Sequence, residues 1–361
     1  MKKYILLFGK MFLYIVLLLV SLFVTIVSFS YYYYSTGYSS ISIDEKAKVF
    51  SGMTQSDFII SDSGGNRRTG NTFLSIPEWY IVSISDDYTT WLELGKNPSD
   101  FPYIQYLKDY WIMYGKITAI MDEKIPRDYE YHTMVQVIGV STTLEFGLKA
   151  IYEYTIGRIT SLGSFNTPID RYYTEISRKY VDFILLRPWY EFNYTDAIMG
   201  LQYDTGSSLV RSTERYLLYY GEFFIKKLYA KIIENAAKSS FATPDIWTGV
   251  RGNFPVDVAS VDPKNINITH DGIKITRYYP FTEILPKILE LPLINIADIA
   301  GNKKIVIETI SSSGEISTGS IFSFNVPIDA SKKRNYIYLK PESIKNYMNS
   351  SSAKITHIYD F

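Results

Sequence analysis

The stretch Tyr131–Arg158, YHTMVQVIGVSTTLEFGLKAIYEYTIGR, carries the densest set of residues able to do chemistry. On a helical wheel of about 100° per residue, His132, Gln136, Gly139 and Thr143 share one narrow face, and Glu145, Lys149 and Glu153 form a second polar stripe. A histidine beside a glutamine can line a polar pocket, and His132 with Glu145 would supply the groups for general acid–base work. The same residues fit plain packing: His132 bonded inside a core, Gly139 admitting a neighbouring helix, the charged stripe in water.

Two aromatic clusters echo each other, Ile76-Pro77-Glu78-Trp79-Tyr80 and Arg187-Pro188-Trp189-Tyr190-Glu191-Phe192. Each joins a proline-set backbone to a Trp-Tyr pair and a charge, so the two could meet as one aromatic pocket in which Glu78 pairs with Arg187. Glu78, Trp79, Gln136, Arg187, Trp189 and Glu191 are therefore the candidate ligand- or partner-binding residues. Plugs at helix ends would use the same residues. Asp86-Asp87 and Asp122-Glu123 read as caps or surface charges, and His270-Asp271-Gly272 as a turn. The sequence holds no GxSxG, no GxxxxGK[ST], no GxGxxG after a strand and no HExxH. It has no cysteine, and His132, His270 and His357 stand too far apart for helical ligand spacing, so no metal and no cofactor is expected.

The segments SIPEWYIV (Ser75–Val82), YHTMVQVIGVSTTLEFGLKAIYE (Tyr131–Glu153), YVDFILLRPWYEF (Tyr180–Phe192) and IAGN (Ile299–Asn302) together resemble a family of uncharacterised bacterial membrane-anchored proteins. The resemblance implies a bacterial envelope protein and brings no activity or site residue with it.

The elements that must position these residues begin with an apolar run. Met11–Phe29 has no charge, and at about 1.5 Å per helical residue it comes close to the roughly 30 Å hydrocarbon core of a bilayer. Lys2, Lys3 and Lys10 precede it and no charge follows until Asp44, which predicts a cytoplasmic N-terminus and a body outside the cytoplasm of a bacterial inner membrane. Tyr31–Tyr34 supply an interfacial aromatic belt. A cleaved signal, cut before Tyr31 after Ser28 and Ser30, is the alternative, and either reading exports the body.

With 20% charged and 47% hydrophobic residues the body can bury a sizeable core. Lys plus Arg equal Asp plus Glu at 37 each, which gives no support for nucleic-acid binding. Tyrosine, at 33 residues, is in excess and suits contact surfaces.

These features predict an N-terminal transmembrane helix (residues 1–30), a flexible tether (31–71), a mostly α-helical bundle (72–240) and a smaller α+β domain of ferredoxin-like plan with an inserted hairpin (241–361). Short helices are expected over 79–82, after a Ser75–Glu78 capping box, and over 87–94. Longer ones are expected over 103–121, 128–162 (closed by Gly163), 167–186 and 209–237. In the last, Leu217, Phe224, Leu228, Ile232 and Ala236 mark the packed face, with Glu222–Lys226 and Glu234–Lys238 pairs on the wet side. The leading expectation is a non-enzymatic envelope scaffold or complex subunit that binds a protein partner. The alternatives are a membrane-tethered hydrolase or lyase with a pocket near His132, and a small-ligand or lipid-binding module.

Overall fold

The computed structural model describes residues 2–162, 166–203, 209–240, 246–315 and 319–359. Gly163 and the Thr243-Pro244 boundary lie outside the described residues. The chain is mostly helical, with a separate antiparallel-sheet region at its C-terminal end.

The first helix, α1 (Lys2–Ser39), carries the apolar run and continues through Tyr31–Tyr34. Its last turns lie along α4 (Tyr103–Met121). The two backbones touch where Gly37 meets Ile112 and Gly115 meets Tyr34, and a Cβ on either glycine would run into a carbonyl of the other helix.

The segment expected to be a tether is instead packed. It holds α2 (Ile43–Val49), opened by a Ser42–Glu45 capping box, and Ile41, Phe50 and Phe58 are buried. Phe50 meets the rings of Phe58, Phe73 and Tyr338 at 5.3, 5.7 and 6.1 Å. These residues are too widely spaced to show a period, so only tertiary contact reveals their role.

Helix α3 (Thr69–Glu93) replaces the two short helices expected here. Its start is fixed from afar. Thr69 Oγ1 donates to Asn302 Oδ1 at 2.7 Å, and Asn302 Nδ2 donates to the Arg67 carbonyl at 3.0 Å. Pro77 therefore falls inside the helix, and Ser75 bonds back to the Thr72 carbonyl instead of capping.

Local punctuation works better further on. α4 has the expected bounds, although Asn97 caps the turn Pro98–Asp100 before it and neither Ser99 nor Asp100 caps the helix. Asp128 caps α5 (Tyr129–Tyr152), which passes through a π turn at Glu153–Gly157 into α6 (Arg158–Thr160). α7 (Pro168–Ile184) opens on a Thr167–Asp170 capping box with Pro168 at its first position. After α8 (Tyr194–Met199) comes α9 (Leu209–Ser240).

On α9 the polarity is the reverse of the expectation. Leu217, Phe224, Leu228 and Ile232 do share a face, but it is the exposed one, with Leu217 at 65% and Ile232 at 64%. Glu222 and Lys226 pair at 3.0 Å on the inner side, against Lys149 and Glu145 of α5. Glu234 pairs with Lys231, and the side chains of Ala236 and Lys238 lie outside the described residues. The stripe Glu145-Lys149-Glu153 pairs with α9 along its length; Glu145 stays half-exposed, and Glu153, in the π turn that follows α5, has no exposure.

The C-terminal region is two four-stranded sheets where one was expected. β1 (Trp247–Asn253), β2 (Ile266–Thr269), β3 (Gly272–Thr276) and β4 (Asn295–Ile299) form the first, ordered β2-β3-β1-β4, with α10 (Tyr279–Glu290) before the last strand. β5 (Ile305–Ser312), β6 (Ser320–Val326), β7 (Asp329–Leu339) and β8 (Lys354–Ile358) form the second, ordered β6-β7-β5-β8, with α11 (Ser343–Ser350) before the last.

All pairings are antiparallel. In each sheet the first and second strands therefore run the same way with the third between them, and the fourth lies outside the first. The unit is used twice. The helix that a ferredoxin-like plan places between its first two strands is replaced in the first unit by the short turn Val258–Val261. The inserted hairpin is the antiparallel β6–β7 pair. Gly301-Asn302 is a turn signal between LINIADI and KIVIETI, but those two strands do not pair as a hairpin, because β4 pairs with β1 while β5 pairs with β7 and β8. Buried Asn302, held to Arg67 and Thr69, occupies that turn.

Ile275, Ile296 and Ile299 of the first sheet pack with Ile305, Ile307, Ile337 and Ile358 of the second around Phe281, Leu285 and Ile288 of α10. Burying such a side chain is worth about 1.5–3 kcal/mol. The other face of the second sheet, through Val306, Phe322, Tyr336 and Tyr359, joins the helical core. β5 is thus covered on both sides.

Candidate functional site

Where α3 crosses the second sheet and α10, a cleft of about 740 Å³ opens at the seam between helices and sheets. Trp79, Val82, Ser83, Asp86 and Asp87 recur at steps of three and four, so one face of α3 supplies one wall. Tyr279, Thr282, Glu283 and Lys287 of α10 supply another, and Arg178 of α7 stands at the edge. Tyr278, which precedes α10, has φ 67°, a conformation costly for a bulky side chain.

The floor is a charge ladder. Arg334 on β7 pairs with Glu308 on β5, reaches Asp87 at 3.3 Å and donates to Ser83 Oγ at 2.9 Å. Register explains the first contact: Glu308 lies opposite Tyr336 and Ile310 opposite Arg334, so the two charges are diagonal neighbours. A bulge between Glu308 and Thr309 interrupts pairing with β8 and re-aims Glu308, which also accepts from Thr356 Oγ1 at 2.8 Å.

Burial pushes the Asp87 carboxyl above its ordinary value, while Arg334 and the Tyr106 hydroxyl, which donates to it at 2.7 Å, pull it back. Burial also works against the Arg334 charge, but Glu308 and Asp87 outweigh it and hold the guanidinium firmly protonated. At the edge, Arg178 grips Glu93 with two bonds of 2.8 and 2.7 Å and Asp86 with one of 2.7 Å. The Glu93 bonds raise the arginine and lower the glutamate.

Trp79 stacks on His357 at 3.6 Å between ring centres, and Tyr359 meets the His357 ring edge-on. The Thr282 hydroxyl lies 3.2 Å from His357 Nδ1 and accepts from the Ile358 amide at 2.9 Å, tying α10 to the last strand. An aromatic wall beside charges of both signs suits recognition of a small polar molecule that carries both. Among the described residues, no group of three or more His, Asp or Glu is arranged to hold a metal ion.

Of the candidate binding and catalytic residues named from the sequence, only Trp79 lines this cleft; Asp86 and Asp87, expected to be caps or surface charges, line it too. His132 is buried in the bundle, with Nδ1 2.9 Å from the Tyr114 hydroxyl and no protein partner on Nε2. Gly139 lies against the Tyr110 ring and Thr143 accepts from Trp111 Nε1, so a filled helix contact stands where a pocket near His132 was expected. Gln136 is exposed and donates to the Tyr114 hydroxyl. Glu145 is half-exposed and pairs with Lys226 beside a void of only about 70 Å³.

Glu78 accepts from Tyr131. Arg187 and Glu191 pair weakly with each other at 3.8 Å, and Trp189 stacks on Tyr229 of α9. The two tryptophan clusters thus take different partners, and Arg187 does not pair with Glu78. Asp87, expected to be a cap or surface charge, is instead held inside by Tyr106 and Arg334, His357 was weighed only as a metal ligand, and Arg178, Glu308 and Arg334 escaped the sequence reading. The available signal was a lone Glu308 in the β-branched run KIVIETI and Arg334 at the end of the basic run Lys332-Lys333-Arg334, ahead of NYIYL.

The chain matches no protein-family model, no curated protein and no solved structure.

Proposed function

We propose that this chain is a membrane-anchored binding protein, held by residues 11–29, whose cleft takes a small zwitterionic molecule such as an amino acid or a short peptide. The cleft itself carries the reading: about 740 Å³ of space at a seam, with Lys287 and Lys354 to meet a carboxylate, Glu283 to meet an ammonium, and Trp79 to meet an apolar group. Lys2, Lys3 and Lys10 support a cytoplasmic N-terminus and a body outside the cytoplasm, as in a bacterial inner-membrane protein. Calorimetric titration of the full-length protein in detergent with amino acids and with di- and tripeptides tests the ligand. Saturable binding that weakens at least tenfold in Trp79→Ala supports the reading; no binding to any of them, or binding indifferent to Trp79, refutes it.

A second reading is the scaffold with a protein partner. Val256 and Leu293 of the sheet region are 95% and 94% exposed, and Leu293 sits at φ 61°, a strained conformation for an exposed apolar residue. Crosslinking from intact membranes should then capture a partner through these loops, and lose it in Val256→Ser/Leu293→Ser.

A further inference from the structure

Among the described residues, one helix is long and apolar enough to cross a membrane, and it is Tyr129–Thr160, made of α5 and its continuation. Its partner is α9. Ser141 meets Tyr229, Glu145 meets Lys226, Lys149 meets Glu222, Glu153 meets Arg215 and Gly157 meets Arg211, so the two helices run antiparallel side by side. From Ser141 to Thr160 the shared length is about 30 Å at the helical rise, close to the thickness of a hydrocarbon core.

Lys149, Glu153, Arg211, Arg215 and Glu222 point inward and are matched, while Glu145 and Arg158, near the two ends of the shared span, are half-exposed and paired with Lys226 and Asp100. Arg215 and Glu153 have no exposure, Arg211 pairs with Asp170 at 3.1 Å, and Lys149 bridges Tyr173 and Glu222. A Cβ on Gly157 would run into the Glu153 carboxylate, so the π turn and its glycine make room for this ion pair. The outer faces are apolar: Val137, Leu144, Leu148 and Ile151 on α5, Leu217 and Leu228 on α9. On α7, in the same bundle, the exposed residues after Pro168 at its first position are Arg171, Glu175, Lys179 and Asp182. Water therefore suits one side of the bundle and not the other.

We infer that the outer faces of α5 and α9 lie against the hydrocarbon of a lipid bilayer. Lipid is the occupant because the surface is continuous with α1, which packs on α5 and exposes Leu17, Val20, Phe23 and Val24. Its basic border fits as well: Lys227 and Lys231 are exposed at the C-terminal end of the α9 stripe, where long cationic side chains reach headgroup phosphates. The membrane contact is then a broad face of the bundle added to the anchor.

The chain has no cysteine, so single nitroxide labels can be placed cleanly. Leu148→Cys and Leu228→Cys probe the face, Glu175→Cys the wet side and Phe23→Cys, separately, the anchor. Leu144→Cys and Ile225→Cys replace the first pair if either misfolds. In vesicles of phosphatidylethanolamine and phosphatidylglycerol, collisions with oxygen should exceed those with a water-soluble nickel chelate several-fold at both face positions, and the order should reverse at Glu175. Nickel-dominated collisions at Leu148 and Leu228 would overturn the inference, as would dipolar broadening between labels, which means a second copy of the chain covers the face.

Discussion

In the double sheet Ile275, Ile296, Ile307 and Ile358 are buried while Lys274 and Lys332 are exposed; in the α5–α9 pair Glu153, Arg211 and Arg215 are buried while Leu148, Ile151, Leu217 and Leu228 are exposed. The sheets are held by area removed from water, a force that needs water outside. The helix pair is held by charge matching and hydrogen bonds, which grow stronger as the surroundings grow less polar. One chain uses both, and the difference points to two solvents. The cleft with Asp87, Arg334 and Glu308 lies where the helical body meets the second sheet.

The comparison can be broken from either side. The largest effect belongs to the ion pair: Arg215→Leu leaves Glu153 buried and uncompensated and should cost about 3–5 kcal/mol, measured by unfolding in detergent. The joint Glu153→Leu/Arg215→Leu change should be much milder than the single one. If it is as damaging, charge matching is not what holds this pair. In the sheets, Ile307→Ala should cost about 2–5 kcal/mol through the lost transfer energy and the cavity left behind. Thr167→Ala, which removes the α7 cap, should cost about 1 kcal/mol. Leu217→Gln should alter stability in detergent by no more than about 0.5 kcal/mol, yet ease release of the protein from vesicles by alkaline carbonate.

The smallest expected effect is a pH slope at the seam. The folded value of Asp87 lies above its unfolded value, so folding takes up a proton between the two. The stabilising contribution is complete below the unfolded value and is lost as pH rises through the folded one. Asp87→Asn should flatten that part of the stability–pH curve; an unchanged slope would mean that another group titrates there.

Helices α4 and α7 were legible because their signals are local: Asn97-Pro98 before one, Thr167-Pro168 and Asp170 at the other. The period of α9 was legible too, but its direction was not. A stripe of Leu217, Phe224 and Leu228 says that the helix has two faces; which face meets the protein depends on the medium, and the medium is not written in the stripe. The start of α3 depends on Asn302, more than two hundred residues away, so the Ser75–Glu78 spacing misled a local reading. β1 and β2 were missed because WTGVRGN and INIT are short and rich in Gly and Asn. The cleft draws on α3, α7, α10, β5, β7 and β8, and of its residues only Trp79 and the Asp86-Asp87 pair stood out in the sequence, the pair as a surface feature.

The most direct test of the two-solvent account is to photolyse the unmodified full-length protein in bilayers containing an apolar carbene precursor and to map the adducts by mass spectrometry. The account predicts adducts in residues 11–29, 134–151 and 210–228, and none on the strands between Trp247 and Ile358. Adducts confined to residues 11–29, or spread evenly over both regions, would contradict it.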